Sequence, residues 1–483
     1  MYETPRVIFA ILLTLLWLLW CVGLYVRHRR TRPKLNKAAS TLIAYASQSG
    51  AAAALATQKA QQLGSSDKVN LLPLDRVCQQ ILRTTKQAHF VVSTYGNGEP
   101  PDNGQRFYHA IQSKKLAVDL SHMRYSVTAL GDSNYAHFCA FGHNLHRSLA
   151  KLGAQSESEV VELDSQKSTP VQSEHATTEY FSWRLVERTR LNPNSLNAPL
   201  FLLTFNSETE IPKWRAGDVV SVQPCNSEKH IGSWLEKHQV NGDVTLNKGD
   251  KAISLKQHLR SHELPNQPPE GDLTHWLKTL SPLPHRDYSI ASAQHENQLK
   301  LIVRLQTHAN GQPGIGSGWL TQFSEINDIT RGKVRANSRC HIDNATRPLL
   351  LIGAGSGLAG LRAQLAERSL MNNAGKVWVI YGERHPVTDT MLNNELMGWR
   401  NQGVITDIDF AYSQHPESPK YVQDVLQANN KKLKAMIHQG ADIYICGNKT
   451  GMGDSVHQAF IKFLGQDNVS ALLANGRYRR DLY

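Results

Sequence analysis

Apolar positions follow different rhythms in successive stretches of the chain. Val7 to Val26 is one continuous apolar run without a charged residue. From Thr41 the runs shorten. Thr41–Tyr45, His89–Ser93 and Tyr125–Leu130 each end in small and polar residues, and helical segments such as the alanine-rich stretch from Ala51 separate them. Apolar runs bounded by turn residues read as buried strands, and their alternation with helices predicts an open parallel sheet. From Phe181 the pattern turns to short strands: Ser182–Glu187, Leu200–Phe205 and Val219–Gln223, then Arg286–Ser292 and Leu299–Leu305. The last third alternates strands and helices again, with strands at Leu349–Ile352, Val377–Tyr381, Asp407–Phe410 and Asp442–Cys446. A chain of 483 residues has room for about two to four such domains.

The first run holds about 20 residues, which at about 1.5 Å each spans the roughly 30 Å of a bilayer core. A basic run of Arg27, His28, Arg29, Arg30, Arg32, Lys34 and Lys37 follows it, and only Arg6 precedes it. The positive-inside rule predicts a single-pass anchor with the C-terminal bulk in the cytoplasm, as at a bacterial inner membrane. No small-residue cleavage site marks it as a signal peptide. A buried core helix is the alternative, and it suits an extreme N-terminus poorly.

Lys and Arg number 53 against 41 Asp and Glu, a net charge of +12, and much of the excess lies in that basic run. There is no arginine-rich arm or aromatic-interleaved basic patch, so no nucleic-acid partner is expected. The six cysteines at positions 21, 78, 139, 225, 340 and 446 are scattered and form no Cys-x-x-Cys. That excludes a zinc motif or disulfide framework and suits a reducing compartment. No metal site is expected.

The chemistry sits where strands end. Thr41–Tyr45 runs into Ser47-Gln48-Ser49-Gly50 and a helix from Ala51; hydroxyls and backbone N–H groups at a helix start make a phosphate cradle. The next two strands run into Thr94-Tyr95-Gly96-Asn97-Gly98-Glu99-Pro100 and Gly131-Asp132-Ser133-Asn134-Tyr135, the strand ends where open α/β sheets bind ligands. Each loop alone also reads as an ordinary βα turn. In Arg286-Asp287-Tyr288-Ser289-Ile290-Ala291-Ser292, strand alternation puts Arg286 and Tyr288 on one face and Ser289 on the other. Such an Arg can fork onto a pyrophosphate, the Tyr can stack on an isoalloxazine, and the Ser can hydrogen-bond near its reactive nitrogen. An edge strand with a solvated Arg is the plainer reading. Gly311, Gly314, Gly316 and Gly318 lead into a helix expected near Trp319. Gly353-Ala354-Gly355-Ser356-Gly357-Leu358-Ala359-Gly360 follows the strand Leu349–Ile352, and Gly-x-Gly-x-x-Gly is by itself a weak dinucleotide signal.

Taken in this order, residues 40–483 resemble the diflavin reductase family, and within it the flavoprotein subunits of bacterial sulfite reductases. The resemblance implies a multi-domain chain. A transmembrane anchor covers 1–30 and a linker 31–40. A flavodoxin-like α/β doubly wound FMN domain covers 41–164, and a second linker 165–177. A β-barrel FAD-binding domain covers 178–345, with a short connecting insert at 226–282, and an α/β NADP-binding domain covers 346–483. It implies that Ser47, Gln48, Ser49 and Gly50 hold the FMN phosphate and that Tyr95 and Tyr135 flank the ring. Ser93, Thr94, Gly96, Asn97 and Gly98, with Leu130, Gly131, Asp132, Asn134, Phe138 and Cys139, would complete that site. FAD would lie on Arg286, Tyr288, Ser289, Gly316, Ser317, Gly318 and Trp319. NADPH would lie on Gly353, Gly355, Ser356, Gly357 and Gly447, with Arg362 near its phosphates and Ser413, Lys420 and Tyr421 at the 2′-phosphate. Ser289, Cys446 and Asp481 would surround the hydride path, and Tyr483 would stack on the FAD ring and move aside for the nicotinamide. Cys446 alone also reads as a buried small hydrophobe.

Several positions depart from the family pattern. Ala51 replaces a polar residue beside the FMN phosphate. Ala354 and Gly360 stand where proline is usual. The connecting insert looks largely trimmed. Gln414 stands where an arginine usually follows the serine of the 2′-phosphate site, and Lys420 is one position closer to its tyrosine, which predicts a weakened preference for NADPH. The functional expectation is electron flow from NADPH through FAD and FMN to a one-electron acceptor, such as a haem or siroheme protein. One alternative is reduction of a ferric or ferric-siderophore complex at the inner membrane. Another is a single-flavin reductase whose flavodoxin domain is a docking scaffold.

Overall fold

The computed structural model describes residues 36, 39–47, 50–63, 69–94, 98, 100–113, 118–131, 137–164, 180–248, 251–268, 273–308 and 311–483. The apolar run Val7–Val26, most of both linkers, and the loop residues Gln48, Ser49, Tyr95, Gly96, Asn97, Asp132, Asn134 and Tyr135 lie outside the described residues. Among the described residues no helix is long and apolar enough to cross a membrane. The chain forms two compact units, Met1–Val171 and Gln172–Tyr483.

The first unit is a parallel sheet of Thr41–Ala46 (β1), Val69–Pro73 (β2), Gln87–Ser93 (β3), Arg124–Gly131 (β4), Gln155–Ser156 (β5) and Val161–Asp164 (β6). Its order is β2-β1-β3-β4-β5, with β6 also paired to β4. Alternate residues of β1 serve opposite faces. Leu42 and Ala44 pack in one core with Phe90, Phe141 and Leu145, while Ile43 packs in another with Ala52, Ala56 and Val91. Burial on both faces explains why these strands read as continuous apolar runs. The order reverses between β1 and β3, and the carboxyl ends of the strands there form the binding crevice of this topology.

The second unit opens with Phe181–Arg190 (β7), Leu200–Ser207 (β8) and Val219–Gln223 (β9). The insert follows, with a hairpin of Thr245–Lys248 (β10) and Lys251–Ser254 (β11). Arg286–Ser289 (β12), Leu299–Arg304 (β13) and Ile329–Arg335 (β14) complete an antiparallel sheet of order β12-β9-β14-β7-β8-β13. A bridge between Ile290 and Leu301, with Ala291 N donating to Lys300 O at 2.8 Å, joins its two ends. The sheet therefore closes into a barrel at the Arg286–Ser292 stretch, leaving no open edge there. Trp183, Phe205, Trp214, Ile290 and Trp319 fill it.

The insert is more organised than a trimmed remnant. Ser227 caps a helix over Glu228–Lys237 by accepting from His230 N. Ile231, Trp234, Leu255 and Leu259 form a small core, and Trp276 stacks on Trp234 with ring centroids 6.0 Å apart. The last domain is a parallel sheet of Leu349–Ala354 (β15), Val377–Glu383 (β16), Asp407–Tyr412 (β17), Asp442–Gly447 (β18) and Tyr478–Leu482 (β19), ordered β17-β16-β15-β18-β19. The chain end, which its sequence presents as a basic tail, is thus a strand. Arg479 is absorbed there by Asp442 Oδ1 at 2.8 Å and His341 O at 2.8 Å.

Candidate functional site

At the carboxyl end of β1 the Ser47 amide donates to Asn103 Oδ1 at 3.0 Å. Its hydroxyl is buried and has no hydrogen-bond partner among the described residues. Gly50 follows with φ 90° and starts the Ala51–Gln62 helix, whose first turn holds no acidic residue. A buried orphan hydroxyl at the positive end of a helix dipole fits a bound phosphate. Across the switch point, Ser93 Oγ donates to Ala46 O at 3.2 Å and Thr94 N to Leu130 O at 2.8 Å. Phe141 N donates to Thr94 Oγ1 at 3.2 Å, so this loop is braced from the helix behind it. Cys139 differs from expectation. Its thiol is fully buried, faces Ala129 O at 3.3 Å, and burial pushes its pKa up to about 12. It packs beneath Gly131 as part of the scaffold.

In the barrel, Arg286 and Tyr288 share one face of β12 and Ser289 points to the other. Gly316 meets this face closely: a Cβ there would lie 2.6 Å from Tyr288 Oη and 2.7 Å from Arg286 Cγ. Only glycine lets the Gly316–Gly318 turn approach the Arg-x-Tyr strand, and a flat cofactor with a pyrophosphate suits the cradle they form. The helix begins earlier than its sequence suggests, at Ile315, so Gly316 and Gly318 lie inside its first turn. The side chains of two residues expected at FAD are held by neighbouring parts of the barrel. Ser317 Oγ accepts from Gln306 N at 3.1 Å, and Trp319 is buried in the barrel core with Nε1 donating to Thr330 Oγ1 at 3.2 Å.

Ser289, Cys446 and Asp481 come together. Cys446 and Asp481 are register partners on β18 and β19, and Ser289 reaches them from β12. Ser289 Oγ donates to Asp481 Oδ2 at 2.8 Å, and Cys446 Sγ lies 3.5 Å from the same oxygen. Tyr444, which nothing in its local sequence singles out, donates to that oxygen at 2.9 Å. Burial raises the pKa of Asp481, and the three donors oppose that shift. Burial, with Asp481 adding to it, holds the Cys446 thiol well above its usual pKa, so it is a neutral donor rather than a thiolate nucleophile. The glycine loop after β15 lies against this cluster. A Cβ on Gly357 would sit 2.0 Å from Cys446 O, so the loop can approach β18 only with glycine there. Tyr483 Oη donates to Ser356 Oγ at 2.7 Å.

Beside that loop is a cavity of about 510 Å³ lined by Gly355, Glu383, Arg384, Ser413, Lys420, Tyr421 and Met452, among others. Ser413, Lys420 and Tyr421, which the family resemblance groups together, all line this one cavity. Arg384 adds a second cation that the sequence pattern did not single out; its signal is its place immediately after β16, at a carboxyl strand end. Gln414 does not line the cavity; its amide donates to Arg384 O at 2.8 Å. Two cations and a hydroxyl on one cavity suit a phosphorylated nucleotide. Glu383 in the same wall is paired with Arg304 at 2.9 Å, which offsets the burial that raises its pKa.

Arg362 corrects the expectation of a phosphate contact. It is buried at 4% exposure, and its three guanidinium nitrogens donate to Glu296, Glu395 and Ala291 O at 2.7–3.1 Å. It ties the nucleotide-sheet helix Leu358–Arg368 to the barrel and has no donor left for a ligand.

The flavodoxin family model matches residues 43–178, and the oxidoreductase NAD-binding domain model matches residues 351–458. The sulfite reductase [NADPH] flavoprotein alpha-component of Bacillus subtilis is 26% identical, covering 93% of this chain and 90% of the relative. Those of Yersinia enterocolitica and Escherichia coli O157:H7 are each 27% identical, covering 92% and 81% of this chain and 89% and 81% of their own. With the two matched domains and this likeness along most of its length, the chain is an NADPH-dependent flavoprotein reductase similar to the sulfite reductase flavoprotein, with FMN, FAD and NADPH as its cofactors.

Proposed function

We propose that this reductase is a membrane-anchored diflavin enzyme that feeds a one-electron acceptor. When bound, NADPH supplies a hydride to FAD, whose electrons leave singly through FMN. The observation that carries the reading is the meeting of Ser289 from the barrel with Cys446 and Asp481 from the nucleotide sheet, next to the glycine loop. Ser289 and Asp481 would balance charge where the nicotinamide meets the flavin, Cys446 would orient the nicotinamide, and Tyr483 would stack on the flavin and yield to the nucleotide. Ser47 and the Gly50 turn hold the FMN phosphate. With FMN among the cofactors, the scaffold alternative loses its ground.

Anchoring rests on the uncharged run Val7–Val26 and the basic residues after it, which favour the bacterial inner membrane with both units in the cytoplasm. The relatives are named as components of sulfite reductase, which favours a protein acceptor, such as a haem or siroheme protein, over a small molecule. A ferric complex reduced beside the membrane is the second reading, and the anchor is its motive. Full-length protein purified in detergent should contain FMN and FAD in equal amounts and reduce cytochrome c with NADPH. Deletion of residues 1–38 should release it from membranes with both flavins retained. A protein holding FAD alone, or one equally soluble with and without residues 1–38, overturns the corresponding part of the proposal.

A further inference from the structure

The cluster around Asp481 contains one group that the proposed hydride site does not use. Tyr444 lies on β18, two residues before Cys446, and is fully buried. Its phenol donates to Asp481 Oδ2 at 2.9 Å, from a different direction than Ser289 Oγ at 2.8 Å. Space for that phenol depends on Gly360 in the Leu358–Arg368 helix. A Cβ at 360 would sit 2.3 Å from Tyr444 Oη and 2.8 Å from Cys446 Sγ. The glycine at 360 is thus what admits a hydroxyl under the carboxylate.

We infer that Tyr444 is a positioning residue for hydride transfer: its hydroxyl anchors Asp481 Oδ2, fixing the carboxylate against Ser289 and Cys446. This rests on the reading of Ser289, Cys446 and Asp481 as the groups that meet the nicotinamide. A buried carboxylate with fewer donors, or with donors from one side only, rotates or takes up a proton more readily. Held by donors from two sides, it keeps one orientation and its charge. No ion pair to Asp481 is present among the described residues, so hydrogen bonds carry that task. The titratable groups around it are Tyr444 and Cys446 on β18, Tyr483 at the end of its own strand, and Cys340 packed near Tyr444 and Cys446. Tyr444 is fully buried and its phenol bonds Asp481, so its effect is on the orientation and protonation of that carboxylate.

The test uses the full-length holoprotein and stopped-flow reduction of FAD by NADPH between about pH 5 and 9. Tyr444→Phe keeps the ring and removes the hydroxyl. A lost hydrogen bond to a charged group predicts a fall in the reduction rate of roughly ten- to a hundredfold. FAD content and NADPH KM should be unchanged, and the acid limb of the profile should move to higher pH, because Asp481 with one donor fewer holds its proton more tightly. In an Asp481→Asn background, Tyr444→Phe should add little, since both changes act through one carboxylate. If Asp481→Asn leaves the rate intact, the underlying site reading fails. If Asp481→Asn slows reduction but Tyr444→Phe leaves rate and pH profile as in wild type, the inference about Tyr444 fails. Should Tyr444→Phe fold poorly, 3-fluorotyrosine at 444 preserves the shape and strengthens the donor. The acid limb should then move to lower pH, and an unmoved limb overturns the inference.

Discussion

Tyr483 and Ser356 are joined by a 2.7 Å hydrogen bond that ties the last residue of the chain to the loop expected to hold the NADPH phosphates. The Tyr483 backbone is fixed separately: its amide donates to Gly447 O at 3.2 Å and its carbonyl accepts from Lys449 N at 3.0 Å. Tyr483 as a whole is 55% exposed. A nucleotide phosphate that takes the Ser356 hydroxyl removes this tether on the ring. Tyr483→Phe and Ser356→Ala should both ease displacement of the ring. The bond is worth about 0.5–1.5 kcal/mol, or roughly two- to tenfold. Tyr483→Phe should therefore lower the NADPH KM by about that factor and strengthen the nicotinamide–flavin charge-transfer band. An unchanged band and KM would show that the hydrogen bond does not hold the ring in place.

Nucleotide choice should depend on Arg384 as well as Lys420. Each charged contact to the 2′-phosphate is worth about 1.5–3 kcal/mol. Arg384→Ala and Lys420→Ala should each reduce kcat/KM for NADPH about ten- to a hundredfold and leave NADH nearly unaffected. Arg384 offsets the loss expected from Gln414, so wild type should favour NADPH clearly. Equal losses for both nucleotides in the Arg384 variant would place that arginine away from the 2′-phosphate.

Ser47→Ala should weaken FMN binding about tenfold or more and spare FAD, because its buried hydroxyl has no partner among the described residues and a phosphate would supply one. Flavin released on dilution, separated by chromatography, measures it. Release of FAD instead, or retention of FMN at wild-type affinity, would rule out the phosphate contact.

Arg362→Met should destabilise the second unit by about 3–5 kcal/mol, since it strands two partly buried carboxylates. Adding Glu296→Gln should recover part of that loss. Urea unfolding followed by FAD fluorescence gives both values. A loss below about 1 kcal/mol would mean the clamp is solvated.

The same clamp sets an acid limit. Burial works against ionisation of Glu296, but Arg362, with Lys300 and the Ala293 amide, holds its carboxyl at about 2. That lies below the unfolded value of ~4.3. The contribution is therefore complete above about pH 4.3 and is lost as the pH falls toward 2. Glu296→Gln should flatten the dependence of the urea midpoint on pH in that window. Parallel slopes for variant and wild type would show that Glu296 does not titrate there.

Features built from contiguous residues are legible in the sequence. The Arg286–Ser289 strand and the glycines from 353 to 357 each place backbone donors and small side chains by local geometry alone. The strands beside them read clearly because burial on both faces leaves an unbroken apolar run. β19 does not read as a strand, because Arg479, Arg480 and Asp481 look solvated until Asp442 and Ser289 are known to face them.

The sequence by itself determined the alternation of strands and helices and the small-residue loops at the strand ends, since each is written within a few neighbouring positions. The tertiary structure alone decided which distant residues come together and which are tied into the scaffold. Arg362 became an internal clamp because Glu296 and Glu395 arrive from a barrel turn and a distant helix. Arg384 entered the cavity beside the glycine loop because β16 and β17 are parallel neighbours. Tyr444 reached Asp481 because β18 and β19 pair in a register that no local periodicity encodes. Such contacts depend on which strands are neighbours, and that choice is settled by the packing of whole sheets rather than by any single stretch of chain.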